Sequence, residues 1–222
     1  MTAKQASIDA RGEAAAPLTS PVASPESAPA LAQYARFGQR IRRRYPAEVA
    51  LLGPGIPGKA DCAHMVARLR ADGADLGSAL RILRQVVLER LMTLDCTAQA
   101  TVQQVTLAMT ELAEFALDAA CSQVMDELDA LHGRPVGADG RRAELWIIGM
   151  GKLGARELNV SSDIDLIYAY DQDGETAGNA QERGRISNHE YFGKAVRALF
   201  ALIGDTTEHG FVFRVDLALR PN

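Results

Sequence analysis

The sequence has no apolar run near the roughly 18 residues of a membrane helix. Its first residues, MTAKQASIDARGE, lack the apolar core of a secretory signal. Together these absences point to a cytoplasmic protein with no membrane partner. A basic excess is missing as well. Lys and Arg number 24 against 28 Asp and Glu, with a formal charge of −4 and a pI near 5.6, which argues against a nucleic-acid partner. Cysteine is sparse: Cys62, Cys96 and Cys121 lie far apart in apolar, helix-like stretches. Such a set reads as buried, reduced thiols rather than a disulfide framework or a zinc site. The four histidines, His64, His132, His189 and His209, have no ligand-like spacing, and none pairs with a nucleophile in a recognisable triad. No solenoid-like period of roughly 20–50 residues is present.

What is present is the composition of a soluble globular protein. Of 222 residues, 47% are hydrophobic and 23% charged, with a mean hydropathy of −0.07, enough for one well-buried domain or two small ones. Residues 1–32 are rich in Ala, Ser and Pro and bury too little apolar surface to offset the entropy of ordering; a disordered leader is expected. Residues 33–135 read as a helical subdomain. Helices are predicted over 59–72, stopping at Gly73, from near Ser78 with Leu80, Leu83, Val87, Leu91 and Leu94 in one stripe, and over Thr97 to Leu131. The basic run Arg40, Arg42, Arg43 and Arg44 is a solvated helix end or a docking patch for an acidic partner. Residues 136–222 change texture: ELWIIGMG reads as a buried strand entering a glycine turn, 163–171 as a second strand, then a polar loop to about 187. A helix comes next at 190–204 and a third strand at 211–221. The expected class is α+β, with a helical subdomain leading into an α/β core that is incomplete at its C-terminal end.

Gly149-Met150-Gly151-Lys152-Leu153-Gly154 matches the dinucleotide fingerprint after a strand. The match fails on its spacing to the next strand. Only Ala155 to Ser162 separate it from Asp163, too few for a parallel crossover helix. A phosphate-binding Walker loop fails too, because Leu153 stands where Ser or Thr is required.

The carboxylates carry more. On a strand, residues two apart share a face, so Asp163 and Asp165 point one way while Ile164 and Leu166 take the other. Paired carboxylates repel unless a cation lies between them, and hard oxygen ligands suit Mg²⁺ or Mn²⁺. In the third strand Arg214, Asp216, Ala218 and Arg220 share one face. If the two strands are neighbours, three acids converge with two arginines beside them, a set suited to metal-assisted phosphoryl chemistry.

Gly151, eleven residues, then Asp163-Ile164-Asp165 resembles the G-x11-D-x-D pattern of the DNA polymerase β-like nucleotidyltransferases. More narrowly, GMGKLGARELNVSSDIDLIYAYD followed by GFVFRVDLALRP is similar to the glutamine synthetase adenylyltransferase family. The likeness is strong over 144–221 and softer over the helices at 78–131. ELNxSSDIDLI resembles the N-terminal, deadenylylating half of these bifunctional enzymes, so the chain is expected to be a truncated piece of that half. The resemblance implies a polymerase β-like core and Mg²⁺-dependent removal of AMP from a tyrosine of adenylylated glutamine synthetase by phosphorolysis, releasing ADP. It implies Asp163, Asp165 and Asp216 as catalytic metal ligands. Gly149, Gly151, Lys152, Ser162, Arg214 and Arg220 would line the nucleotide and phosphate. Ala218 stands where the family commonly carries an arginine. Implied partners are glutamine synthetase, the PII signalling protein, phosphate and adenine nucleotides. Two alternatives stay open: another polymerase β-like nucleotidyltransferase, or an inactive fragment that only binds the synthetase or PII.

Overall fold

The computed structural model describes residues 35–181 and 183–216. The expected leader, and Arg220 with the rest of the third strand beyond Asp216, lie outside the described residues. Among the described residues helices come first: α1 (Arg36–Arg44), α2 (Pro46–Leu51), α3 (Lys59–Ala71), α4 (Leu76–Cys96) and α5 (Val102–His132). Strands then alternate with helices: β1 (Pro135–Gly137), β2 (Leu145–Gly149), the single-turn α6 (Gly151–Gly154), β3 (Ile164–Tyr170), β4 (Gly174–Thr176), α7 (Asn188–Gly204) and β5 (Val215–Asp216). The architecture is mixed helix and sheet, consistent with α+β.

Caps set the helix limits. The Asp75 carboxylate accepts the Ser78 N–H at 2.9 Å and the Ser78 hydroxyl at 2.7 Å, which pulls the start of α4 back to Leu76. At α5, Thr101 Oγ1 accepts the Gln104 N–H at 3.3 Å while Gln104 Oε1 accepts the Thr101 N–H at 2.9 Å, a reciprocal cap. Ala98, at φ +54°, breaks the helical path just upstream, so α5 begins at Val102 instead of Thr97. Its 31 residues span roughly 46 Å.

That length lets α5 serve both parts of the chain. It packs against α3 and α4 and also against α7. Leu80, Leu83, Val87 and Leu91 of α4 and Met109, Leu112 and Ala116 of α5 are fully buried in a core that continues into Ile164, Tyr191, Leu199 and Ile203. The Tyr191 hydroxyl donates to Asp129 at 2.6 Å, and Arg142 pairs with the same carboxylate. The basic run is only partly a solvated end, because Arg42 turns inward to Glu89 at 2.6 Å and Thr93 at 2.8 Å. The three cysteines are free thiols, with Cys62 buried and Cys96 and Cys121 half-buried.

The main sheet runs β2-β3-β5. β2 and β3 are antiparallel, with Leu145 opposite Tyr170 and Gly149 opposite Leu166. This pairing excludes the parallel crossover of a dinucleotide fold. β3 and β5 are parallel, with Ile164 opposite Val215 and Asp165 opposite Asp216. Ile164 and Leu166 bury the inner face. The other face is open among the described residues, so β2 is not the buried strand expected: Trp146 is 58% and Ile148 43% exposed. The polar loop before α7 holds a strand that the sequence pattern does not reveal. β4 pairs with β1 in a separate two-stranded sheet, joined to α7 by Asn188, whose Nδ2 donates to the Val136 and Gln172 carbonyls at 3.1 and 3.0 Å.

One buried hydroxyl ties α5 to the segment between α6 and β3. Thr110 Oγ1 accepts the Leu158 N–H at 3.2 Å and donates to the Thr106 carbonyl at 2.9 Å; neither Thr110 nor Leu158 touches solvent. Thr110→Val leaves that N–H buried without an acceptor and is expected to destabilise the fold by about 1–3 kcal/mol, read as a lower urea midpoint. An unchanged midpoint would show that the N–H has another acceptor within reach.

Candidate active site

The acids lie on the open face of the main sheet. Asp165 on β3 and Asp216 on β5 are register partners and therefore point to the same side. Asp163, two residues before Asp165, shares that side, as does Arg214, two before Asp216. The structure joins this second pair directly: Arg214 Nε donates to the Asp163 carboxylate, and its Nη2 donates to the Ser161 carbonyl at 2.8 Å. Both side chains are more than half exposed, so the ion pair contributes little to stability. It does fix where the Asp163 carboxylate points. Among the described residues no three His, Cys, Asp or Glu side chains gather closely enough to hold a metal ion. Asp163 is engaged by Arg214 instead of converging on Asp165 and Asp216.

The glycine turn sits over Asp165. The Met150 N–H donates to the Asp165 carbonyl at 2.9 Å, which anchors the turn to β3. Gly151 then takes φ +52°, and a Cβ there would lie 3.2 Å from Asp165 Oδ2. Gly154 backs onto the end of β2 so closely that a Cβ would fall 2.5 Å from the Gly149 carbonyl oxygen. The fingerprint-like spacing is thus a packing requirement: one glycine leaves room above a carboxylate, another lets the turn close on its own strand. Lys152 lies exposed in that turn.

Between the turn and β3, Asn159 organises the chain. Its Oδ1 accepts the Ser162 hydroxyl at 2.8 Å and the Ser161 N–H at 3.2 Å. Ser162 is therefore held by Asn159, with its hydroxyl hydrogen committed. Asn159 was not among the expected site residues; its signal was an Asn two and three places before a Ser-Ser pair, the spacing of a side-chain-closed turn.

β5 is fixed from the helical side, which sequence reasoning also missed. Arg81 of α4, 4% exposed, donates to the Asp205 carbonyl at 2.7 Å and to the Gly210 carbonyl at 3.0 Å. Gln85 Nε2 donates to the His209 carbonyl at 3.2 Å. The Val212 and Phe213 N–H groups both donate to the Ile203 carbonyl at 3.0 and 3.1 Å. These bonds hold the connection from α7 at the entry to β5. On the inner side of β2, a cavity of about 510 Å³ is lined by the Lys59–Glu114–Arg156 ion cluster with Leu145, Ile147 and Gly149. It lies behind the sheet, away from the acids.

Comparison with known proteins gives the class first. The relatives are named adenylyltransferases, that is, transferase enzymes. The family model for glutamate-ammonia ligase adenylyltransferase matches residues 57–222, and the chain belongs to that family. Proteins named bifunctional glutamine synthetase adenylyltransferase/adenylyl-removing enzyme are similar to it. The one from Ralstonia nicotianae is 43% identical over 221 residues, covering 93% of this chain and 23% of its own length. The one from Burkholderia pseudomallei is 50% identical over 147 residues, covering 66% and 16%. The one from Aromatoleum aromaticum is 41% identical over 201 residues, covering 89% and 21%. The chain thus spans less than a quarter of the length of these relatives.

The two glycine contacts differ in what must move. Gly151→Ala meets the end of a side chain but keeps a left-handed φ, which costs about 1–2 kcal/mol. Gly154→Ala meets backbone at 2.5 Å and is expected to destabilise more. Denaturant titration of both variants ranks them. If Gly151→Ala were the more damaging, the turn would be held chiefly by its contact with Asp165.

Proposed function

We propose that this chain carries the deadenylylating centre of its family: a polymerase β-like, metal-dependent site that removes AMP from a tyrosine of adenylylated glutamine synthetase, using inorganic phosphate and releasing ADP. The observation that carries it is the in-register pair Asp165–Asp216 beneath Gly151. The names of the relatives, which include an adenylyl-removing activity, support it. PII as the regulatory partner rests on family resemblance alone.

The residues fit Mg²⁺, or Mn²⁺, by donor type. Asp165 and Asp216 offer hard oxygens side by side, Gly151 leaves space above one of them, and Asp163 would join the set if its carboxylate gave up Arg214 for the cation. When bound, the ion supplies Lewis-acid neutralisation of the transferring phosphoryl group. The chain's own residues do the rest. Gly151 admits the phosphate close to the backbone; Arg214, once released from Asp163, is placed to balance negative charge at the same edge.

An oxygen of phosphate attacks the phosphorus of the tyrosyl-AMP diester, the bond from phosphorus to the tyrosyl oxygen breaks, and ADP leaves. The tyrosyl oxygen then takes up a proton. Inorganic phosphate loses its second proton close to neutrality, so a substantial fraction of it is already the dianionic nucleophile there. A phenolic leaving group has a parent pKa of about 10. Neither end therefore needs a strong general base, and the three aspartates act as ligands. Asp216 serves as a base only when the reaction runs towards tyrosine.

The test is ADP release from adenylylated glutamine synthetase with Mg²⁺ and phosphate, using this chain and a version extended past Asn222. Asp163→Asn and Asp165→Asn are each expected to lower the rate by about 100-fold or more, and chelation to abolish it. ADP formation that survives both substitutions would overturn the assignment. Binding of the synthetase without ADP formation in either version would favour a binding role.

A further inference from the structure

Arg81 and Arg84 lie three residues apart on α4, and the structure treats them differently. Arg81 spends its donors on backbone carbonyls. Arg84 is only 8% exposed, and its Nε is buried with no hydrogen-bond partner among the described residues. Its guanidinium lies 4.8 Å from the centre of the Phe211 ring and 5.6 Å from that of Phe213. No carboxylate among the described residues acts on it; the charge that does is another cation, Arg214. Arg214 lies over the same Phe211 ring at 5.9 Å and reaches Asp163. Burial, with Arg214 adding to it, pushes the Arg84 guanidinium down to about 10, so it stays charged at neutral pH.

A buried cation without a counter-charge is unfavourable, and an apolar side chain of similar volume commonly packs in such a place at lower cost. Two aromatic faces offset part of the penalty but leave the Nε–H without an acceptor. The position, one side chain away from the acid edge, supplies a reason to keep an arginine there. We propose that Arg84 is an oxyanion-binding residue which, with Arg214, receives a phosphate dianion at the edge of the acid face. The ligand class is a tetrahedral phosphate, delivered free or as the terminal phosphate of a nucleotide; the free ion is the one assigned. Its identity as the attacking acceptor rests on the function proposed above, whereas the anion site itself rests on the geometry alone.

The experiment is a titration of this chain with inorganic phosphate, following the arginine Nε–H resonances by NMR and the melting temperature. In the unmodified chain phosphate is expected to shift the Arg84 Nε–H signal and raise the melting temperature. Arg84→Met is expected to melt no lower than the unmodified chain without phosphate, and to bind phosphate at least about 10-fold more weakly. Arg84→Lys, which keeps a cation but loses the planar donor fork, falls between. Should Arg84→Met fail to fold, the wild-type resonance and Arg84→Lys still decide the matter. Equal phosphate affinity in all three proteins, or an Arg84 signal indifferent to phosphate, overturns the proposal. A signal that moves with ADP and not with free phosphate overturns the assignment to the free ion. Phosphate binding at Arg84 without ADP release from the adenylylated synthetase would leave the anion site standing and remove the proposed reaction.

Discussion

The arrangement of the acids depends on the parallel pairing of β3 with β5, which the described residues show at Ile164–Val215 and Asp165–Asp216. Backbone pairing alone does not fix a register, because each hydrogen bond contributes little net stability. The α4 helix and the end of α7 hold the chain just before β5 by its backbone carbonyls and N–H groups. With that entry fixed, β5 has one register available against β3, and the register decides whether a second carboxylate faces Asp165. The helical layer is thus part of the acid face's geometry rather than a support beneath it.

The two faces of the main sheet do different work. Inward, Ile164 and Leu166 join the core shared with α5 and α7. Outward, the same strands carry charge near β5 and apolar side chains on β2. Strand alternation makes this division unavoidable once the chain enters β3 as Asp-Ile-Asp-Leu: a slip by one residue would bury both aspartates and expose both aliphatics. The single-turn α6 completes the outward face, and its glycines are set by contacts with β2 and β3.

Much of this was legible in the sequence, and the failures have physical causes. The stripes of α4 and α5 and the alternation of β3 were strong periodic signals. The start of α4 was missed because Asp75 outcompetes Ser78 as a cap, and that of α5 because Ala98 takes a left-handed turn. β1 and β4 are three residues each and contain glycine, so they carry no period to read. β2 looked buried because its apolar residues run without interruption, yet half of them face outward. On the acid side, the sharing of one strand face by Asp163 and Asp165 comes directly from their spacing. That Asp163 would be engaged by Arg214 does not, since it depends on which strand becomes the neighbour. Arg81 and Arg84 were hidden for a related reason: an arginine beside an apolar stripe looks like the solvent edge of a helix until something packs over it.

The sole tryptophan of the chain is Trp146, on the outward side of β2 and 58% exposed. Its register partner is Ala169, and two residues further along β2 Ile148 faces Ile167, so the indole stands on the acid side of the sheet, near its far edge. The protein therefore carries a built-in optical probe. Its emission begins in a largely aqueous setting, and whatever settles across that face, a nucleotide base or another protein surface, changes the polarity around one indole with no second tryptophan in the chain to mask it.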